Sequence, residues 1–256
     1  MAHFLPPAIH IGTSGWHYRH WRGRYYPQTL LAKKWLAFYA RDFHCVEVNN
    51  SFYRLPSSKT ITQWTELTPA GFVFAVKASR LMTHMKKLKD CQEPLQQFLQ
   101  AVTGFGDKLG PILFQLPPRW HLNLERLRDF LQILPKERRY AFEFRDPSWH
   151  CPPVYELLQA FDIGFCQFDL AGWQSPEVVT SQLVYLRLHG PGAAYSGCYE
   201  EANLRQWSDK IKQWADEGRE VFVFFDNDQN AYAVQNARQL QAMISEAELE
   251  PAGFDG

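Results

Sequence analysis

The chain has 256 residues, enough for one substantial core, and Lys plus Arg equals Asp plus Glu at 27 each, so it lacks the positive field that recruits nucleic acid or anionic lipid nonspecifically. Hydrophobic residues at 46% and charged residues at 21% are globular proportions; no run reaches the eighteen or so apolar residues of a membrane helix, and Met1 to Pro7 has no secretory pattern. Cys45, Cys91, Cys151, Cys166 and Cys198 are odd in number and contain no Cys-x-x-Cys pair, which disfavours a disulfide framework or thiolate zinc site and, with the missing targeting signals, predicts a cytoplasmic protein.

In chain order, eight segments rich in β-branched and aromatic residues predict strands: Ile9 to Thr13, Cys45 to Asn49, Phe72 to Lys77, Ile112 to Gln115, Tyr140 to Phe144, Gly164 to Phe168, Val184 to His189 and Val221 to Asp226. Their starts fall about 30 residues apart, the length of a strand with its crossover helix, which argues for parallel pairing. Apolar residues at helical spacing fill the intervals: Leu31, Trp35, Phe38 and Tyr39; Leu95, Phe98, Leu99 and Val102; Leu124, Leu127, Leu131 and Leu134; Leu204, Trp207, Ile211 and Trp214; and Val234, Ala237 and Leu240. Asn123 precedes the third of these and Asp228 the last as start signals, while Pro152 and Pro153 open a short helix through Leu157, Leu158 and Phe161. The interval 169–182 is short, carries Gly172 and Pro176 and has no helical period, so the sixth helix is expected to be missing or replaced by a loop. The chain is thus read as α/β, a single (β/α)8 TIM-like barrel domain over 1–256, with a core from about 9 to 244 and short tails. An open doubly wound sheet is disfavoured because no Gly-x-Gly-x-x-Gly turn accompanies the strands.

A parallel barrel covers both faces of its strands, so polar residues at strand C-termini are the informative exceptions. They form a series: Thr13 and Ser14, Glu47 and Asn49, Lys77, Gln115, Glu143 and Arg145, Arg187 and His189, and Asp226 and Asn227. Strand alternation puts Glu47 with Asn49, Glu143 with Arg145, and Arg187 with His189 on common faces, which in a closed barrel are interior. Two arrangements fit: a polar pocket, favoured because barrel active sites lie at this end, or a structural plug in which three carboxylates balance three cations.

Several of these residues belong to linked motifs. They are Gly12-Thr13-Ser14-Gly15-Trp16 with Tyr18, Trp21, Gly23, Tyr26 and Pro27; Val46-Glu47-Val48-Asn49 with Phe52-Tyr53; and Lys77 followed by Thr83-His84. Further along are Gln115-Leu116-Pro117-Pro118, Glu143-Phe144-Arg145 with Trp149, Arg187-Leu188-His189-Gly190, and Asn227 with the helix to Leu240. In these motifs, from about Ile9 to about Leu240, the chain resembles the YecE-like family of bacterial and archaeal proteins. The resemblance implies a (β/α)8-type fold and brings no established reaction; its motif residues mark a pocket.

The candidate acid–base groups are Glu47, Glu143, His189 and Asp226; the candidate binding groups are Trp16, Asn49, Tyr53, Lys77, His84, Gln115, Arg145, Trp149, Arg187 and Asn227. Lys77 is expected to clamp an anion rather than form an imine, because Glu47 and Glu143 would keep its amine protonated. Glu47, Glu143, Asp226, His84 and His189 could make an oxygen-rich divalent-metal set, but no His-x-His or His-Glu-x-x-His spacing supports it, so no cofactor or metal is assigned. The glycine-rich loop Gly190 to Gly197 could cradle an anion through backbone N–H groups, although no Lys or Arg lies within 190–199. Trp16, Tyr18, Trp21, Tyr53, Trp149, Trp173 and Tyr195 follow strand ends and could wall the pocket, and Lys86, Lys87 and Lys89 read as a solvated loop. The expected function is acid–base or metal-assisted hydrolase or lyase chemistry on a small phosphorylated or carboxylated metabolite. A metal-dependent phosphodiesterase on nucleic acid, disfavoured by the neutral charge, and a non-catalytic ligand-binding module are the alternatives. No feature predicts an oligomeric state.

Overall fold

Strands that are apolar on both faces pair side by side when helices cover one face and other strands the opposite one. The computed structural model describes residues 8–249. Its strands are β1 (Ile9–Thr13), β2 (Cys45–Val48), β3 (Val73–Lys77), β4 (Leu109–Leu116), β5 (Tyr140–Phe144), β6 (Gly164–Leu170), the two-residue β7 (Trp173–Gln174), β8 (Leu183–Leu188) and β9 (Glu220–Phe225). Their spatial order is β1-β9-β8-β6-β5-β4-β3-β2, every neighbouring pair parallel, with β7 alone running antiparallel beside β6. The two ends of this path, β1 and β2, meet at a parallel bridge between Ser14 and Glu47, so the eight long strands form a nearly closed barrel.

Closure depends on a close approach. A Cβ added at Gly12 would lie 2.4 Å from the carbonyl oxygen of Cys45, so only glycine lets β1 and β2 come together there. Beyond the bridge a side chain completes the seam: the Tyr39 hydroxyl accepts the Thr13 N–H at 2.9 Å and donates to the Cys45 carbonyl at 3.1 Å.

The strand parity divides the core in two. Cys45, Ala75, Leu113, Ala141, Cys166, Tyr185, Phe222 and Phe224 cluster inside the barrel, while Val46, Val48, Phe74, Val76, Phe114, Phe142 and Leu186 face the helices. Those helices are α1 (Trp35–Tyr39), α2 (Ser58–Glu66), α3 (Gln92–Val102), α4 (Leu124–Gln132), α5 (Pro152–Ala160), α6 (Glu201–Asp216) and α7 (Tyr232–Leu249). Asn123 caps α4 by accepting the Arg126 N–H at 2.9 Å, and Pro152 and Pro153 open α5, as expected. The sixth crossover carries no helix. Ala171 and Gly172, both at positive φ, turn β6 back into β7, the two-residue geometry that suits a hairpin.

Several expectations need correction. Helix α2 was not expected from periodicity, because Ile61 is its one buried residue; Ser57 starts it by accepting the Thr60 N–H. Asp228 makes no side-chain cap, and α7 begins only after a short 3-10 turn at Gln229–Ala231, with the Asp228 carbonyl taken instead by the Trp21 indole and His20. Strand β4 starts three residues earlier than expected, and Asn49, His189 and Asp226 stand one residue past the ends of their strands.

Candidate functional site

At the C-terminal end of the barrel, alternation brings the predicted charges together. Glu47, Glu143, Arg187 and His189 are fully enclosed, and Arg145 and Asp226 are buried. Arg187, on β8 and 1% exposed, is the hub: Nη2 donates to Glu47 at 2.8 Å and Asp226 at 3.2 Å, and Nη1 to Glu143 at 2.8 Å. The second oxygen of Glu47 accepts the Tyr185 hydroxyl at 2.7 Å. The second oxygen of Glu143 accepts Nε of Arg145, whose guanidinium also lies over the Phe168 ring. Burial by itself would raise the carboxyl pKa values of Glu143 and Asp226. The adjacent guanidinium of Arg145 and then Arg187 overturn that for Glu143, and the His189 hydrogen bond and Arg187 do so for Asp226, leaving both below the ordinary range.

His189 is placed by two partners. Its Nδ1 donates to Asp226 at 2.9 Å and its Nε2 accepts from Arg145 Nη2 at 2.8 Å, a pattern that requires the neutral Nδ1–H tautomer. Burial, then the Arg187 charge, lowers its pKa despite Asp226. Tyr195, at φ 63° in the loop after β8, stands edge-on to this imidazole, ring centroids 5.6 Å apart.

Lys77 behaves differently. It ends β3 on the inner face, only partly buried, with Nζ 4.5 Å from the centroid of the Phe52 ring. Among the described residues no carboxylate reaches it within 4.0 Å, and it makes no hydrogen bond with its side chain. Its pKa falls to about 8 because burial and the Arg187 charge outweigh Glu143, Glu47 and Asp226. Glu143 and Glu47 do raise it, as expected, and the amine stays mostly protonated at pH 7, but burial and Arg187 bring its pKa well below that of an ordinary lysine. His84, edge-on to the same Phe52 ring, has its pKa lowered to about 4 by burial and by Lys77 and Arg80.

Other candidates divide between rim and scaffold. Among the described residues the Gln115 side chain, beside Glu143 in register, finds no hydrogen-bond partner, and Asn49 keeps a buried Oδ1 without a donor. Tyr53 is 72% exposed at the rim, under Arg80. Trp16 and Trp149 lie outside the charged group: Trp16 packs edge-on against Trp64, and Trp149 stacks on Phe144 while its indole donates to the Trp120 carbonyl. Asn227 fastens the loop after β8, donating to the Gly197 carbonyl and to Asn236. In that loop the N–H groups of Gly190, Tyr195, Ser196 and Gly197 already have partners inside the chain, which leaves fewer for an anion.

Tyr185 was missed, although the two-residue step through Tyr185, Arg187 and His189 points to it. Cys166, whose Sγ is 3.9 Å from Glu143, was also missed; burial and Glu143 push its thiol pKa far up, so it sits there as a small neutral group. Among the described residues no three His, Cys, Asp or Glu side chains are disposed to hold a metal ion, since the carboxylates proposed for one are turned onto Arg187 and Arg145. No helix among them is long and apolar enough to cross a membrane. A cleft of about 830 Å³ opens at the other end of the barrel, lined by Arg138, Arg139, Tyr140 and Gln182. Convergence of polar groups favours the C-terminal mouth as the site, the N-terminal face of barrels being the one that serves stability.

Known proteins agree with this architecture. A DUF72 family protein from Thermotoga maritima MSB8 superposes with a TM-score of 0.84 at 28% identity, over 92% of this chain and 98% of that one. One from Enterococcus faecalis V583 superposes at 0.78 and 19% identity, over 92% and 95%, and shows the fold alone. In sequence the chain is 24% identical to the UPF0759 protein YunF of Bacillus subtilis over 92% of its length and 94% of YunF. It is 32% identical to the UPF0759 protein YecE of Escherichia coli K12, over 55% of its length and 50% of YecE. The family described as "Protein of unknown function DUF72" matches residues 10–253, and the chain belongs to it.

Proposed function

We propose that the chain is an enzyme, one barrel domain working in the cytoplasm, that acts on a small metabolite carrying a carboxylate or phosphate at the C-terminal mouth. The observation that carries this reading is a set of donors left without acceptors there. Among the described residues Arg145 Nη1, Lys77 Nζ and the Gln115 amide find no hydrogen-bond acceptor, while Glu47, Glu143 and Asp226 are engaged by Arg187, Arg145, Tyr185 and His189. A fully paired plug would leave no such cationic edge.

In this reading Arg145 receives the anion, Lys77 lends positive charge beside it, Gln115 and Asn49 hydrogen-bond the rest of the molecule, and Tyr53 and His84 form the rim. Glu47 and Arg187 position the other charges. Glu143 aims Arg145, and an anion drawing Arg145 off His189 frees Nε2 as a base backed by Asp226. The five free thiols suit a reducing compartment.

Titration calorimetry with inorganic phosphate, phosphoenolpyruvate and citrate tests it. At least one should bind the native protein and bind about ten-fold or more weakly to the Arg145→Gln and Gln115→Ala variants. Equal affinities in all three proteins would refute the mouth as an anion site.

A further inference from the structure

The mouth gathers six charged side chains, and five are held in pairs. Arg187 takes Glu47, Glu143 and Asp226, and Arg145 takes Glu143. Lys77 stands among three carboxylates yet touches none. Its Nζ rests on the face of Phe52, and the lysine is partly open to the mouth. An ammonium kept for charge alone would settle on a carboxylate, so its position calls for another account.

We propose that Lys77 is a nucleophile that forms an imine with a small aldehyde or ketone bearing a carboxylate or phosphate, the anion lying on Arg145. This deepens the anion-site reading and rests on it for the substrate's charge. Nearby groups suit the step. The orphan Oδ1 of Asn49 can accept a substrate hydroxyl, and the Gln115 amide can donate to one. His84 stays neutral and does not add a second cation beside the amine.

The step balances without a co-reactant. Lys77 first loses one proton to water, and its lone pair attacks the carbonyl carbon. The carbonyl π pair moves to oxygen, which takes the proton that the now cationic nitrogen gives up, and a neutral carbinolamine results. Nitrogen then pushes out the hydroxyl, which leaves as water on receiving the second proton, and a protonated imine remains. The sum is ammonium plus carbonyl giving iminium plus water. An amine whose pKa is about 8 is neutral in about one molecule in ten at pH 7, against fewer than one in a thousand for an ordinary lysine.

The test is reductive trapping. Pyruvate, dihydroxyacetone phosphate and uncharged dihydroxyacetone are each incubated with the full chain and sodium cyanoborohydride, and adducts are located by peptide mass mapping. An adduct at Lys77, formed at least about ten-fold faster than at Lys86, Lys87 or Lys89, supports the proposal. Its lead should be widest near neutral pH, and Lys77→Arg should abolish it while the protein still melts cooperatively. Labelling at Lys77 no faster than at those surface lysines overturns it. Failure of the two readings is separable. If anions bind in calorimetry and no Lys77 adduct forms, only the imine falls. If Lys77 reacts fastest and equally with charged and uncharged carbonyls, the nucleophile stands and the anion requirement is overturned.

Discussion

Asp226 accepts the Nδ1 proton of His189 at 2.9 Å, and this bond decides what the imidazole can do. It turns the Nε2 lone pair toward Arg145, at 2.8 Å, and a ring so held is neutral. Its folded pKa lies below 6.5, so the folded state resists protonation; the His189 contribution to stability is complete above that value and is lost as pH falls from 6.5 toward the folded pKa. Long-range proton–nitrogen spectra at pH 7 should therefore show His189 singly protonated on Nδ1. In Asp226→Ala the Nδ1–H form should lose its dominance. A doubly protonated ring in the native protein at pH 7 would contradict the assignment.

Arg187 is the charge on which the others depend. Arg187→Met leaves Glu47, Glu143 and Asp226 enclosed with fewer counter-charges, and breaking such a buried pair costs about 3–5 kcal/mol. For a chain of this size that is a fall in melting temperature of roughly 6–20 °C. The native protein keeps Glu143 and Asp226 ionised through depressed pKa values; that stabilisation is full above the unfolded values of 4.5 and 3.8 and disappears as pH drops through the folded ones. In Arg187→Met part of the depression is gone, so mild acid should narrow the gap between variant and native protein in urea denaturation. A variant as stable as the native protein at pH 7 would mean that the three carboxylates do not require the guanidinium.

The barrel and its inward ladder were legible because they depend on period alone: two-residue steps through Glu47, Glu143, Arg145, Arg187 and His189 select one face, and the strands are otherwise largely apolar. Partner choice was not legible. Arg187 meets Glu47 across 140 residues of sequence, a contact set by strand register and barrel closure. The lowered pKa of Lys77 comes from desolvation, which no local pattern encodes. Trp16, Trp149 and Asn227 share the strand-end position of the true mouth residues, yet their side chains pack into the outer layers or fasten loops.

Lys77 makes an opposite prediction to Arg187. A lysine whose folded pKa of about 8 lies below the unfolded 10.5 penalises the folded state while it is protonated, and the penalty is relieved as pH rises from 8 to 10.5. Lys77→Met should thus be more stable than the native protein at pH 7, by at most about 3 kcal/mol, less where solvent screens the amine. The difference should shrink steadily toward pH 10.5 in paired urea titrations. Destabilisation by Lys77→Met at pH 7 would show that the carboxylates hold this ammonium after all.

Tyr39 links the seam to the site. Its hydroxyl stands where a direct strand-to-strand bond is missing, accepting from Thr13 and donating to Cys45, two residues before Glu47 on the same face of β2. Tyr39→Phe keeps the ring in place and strands a buried N–H and a buried C=O, each worth about 1–3 kcal/mol unmet, so a loss of roughly 2–6 kcal/mol is expected. Amide exchange in the peptide covering β1 should quicken while peptides from β4 and β5 stay protected, because those strands keep their ladders. Since Arg187 also holds β2, through Glu47, the double variant with Arg187→Met should lose less than the two single losses added together: once the seam has opened at one of these ties, the other has less to hold. Additive losses would separate the two roles, leaving Tyr39 a backbone cap with no influence on the charged cluster.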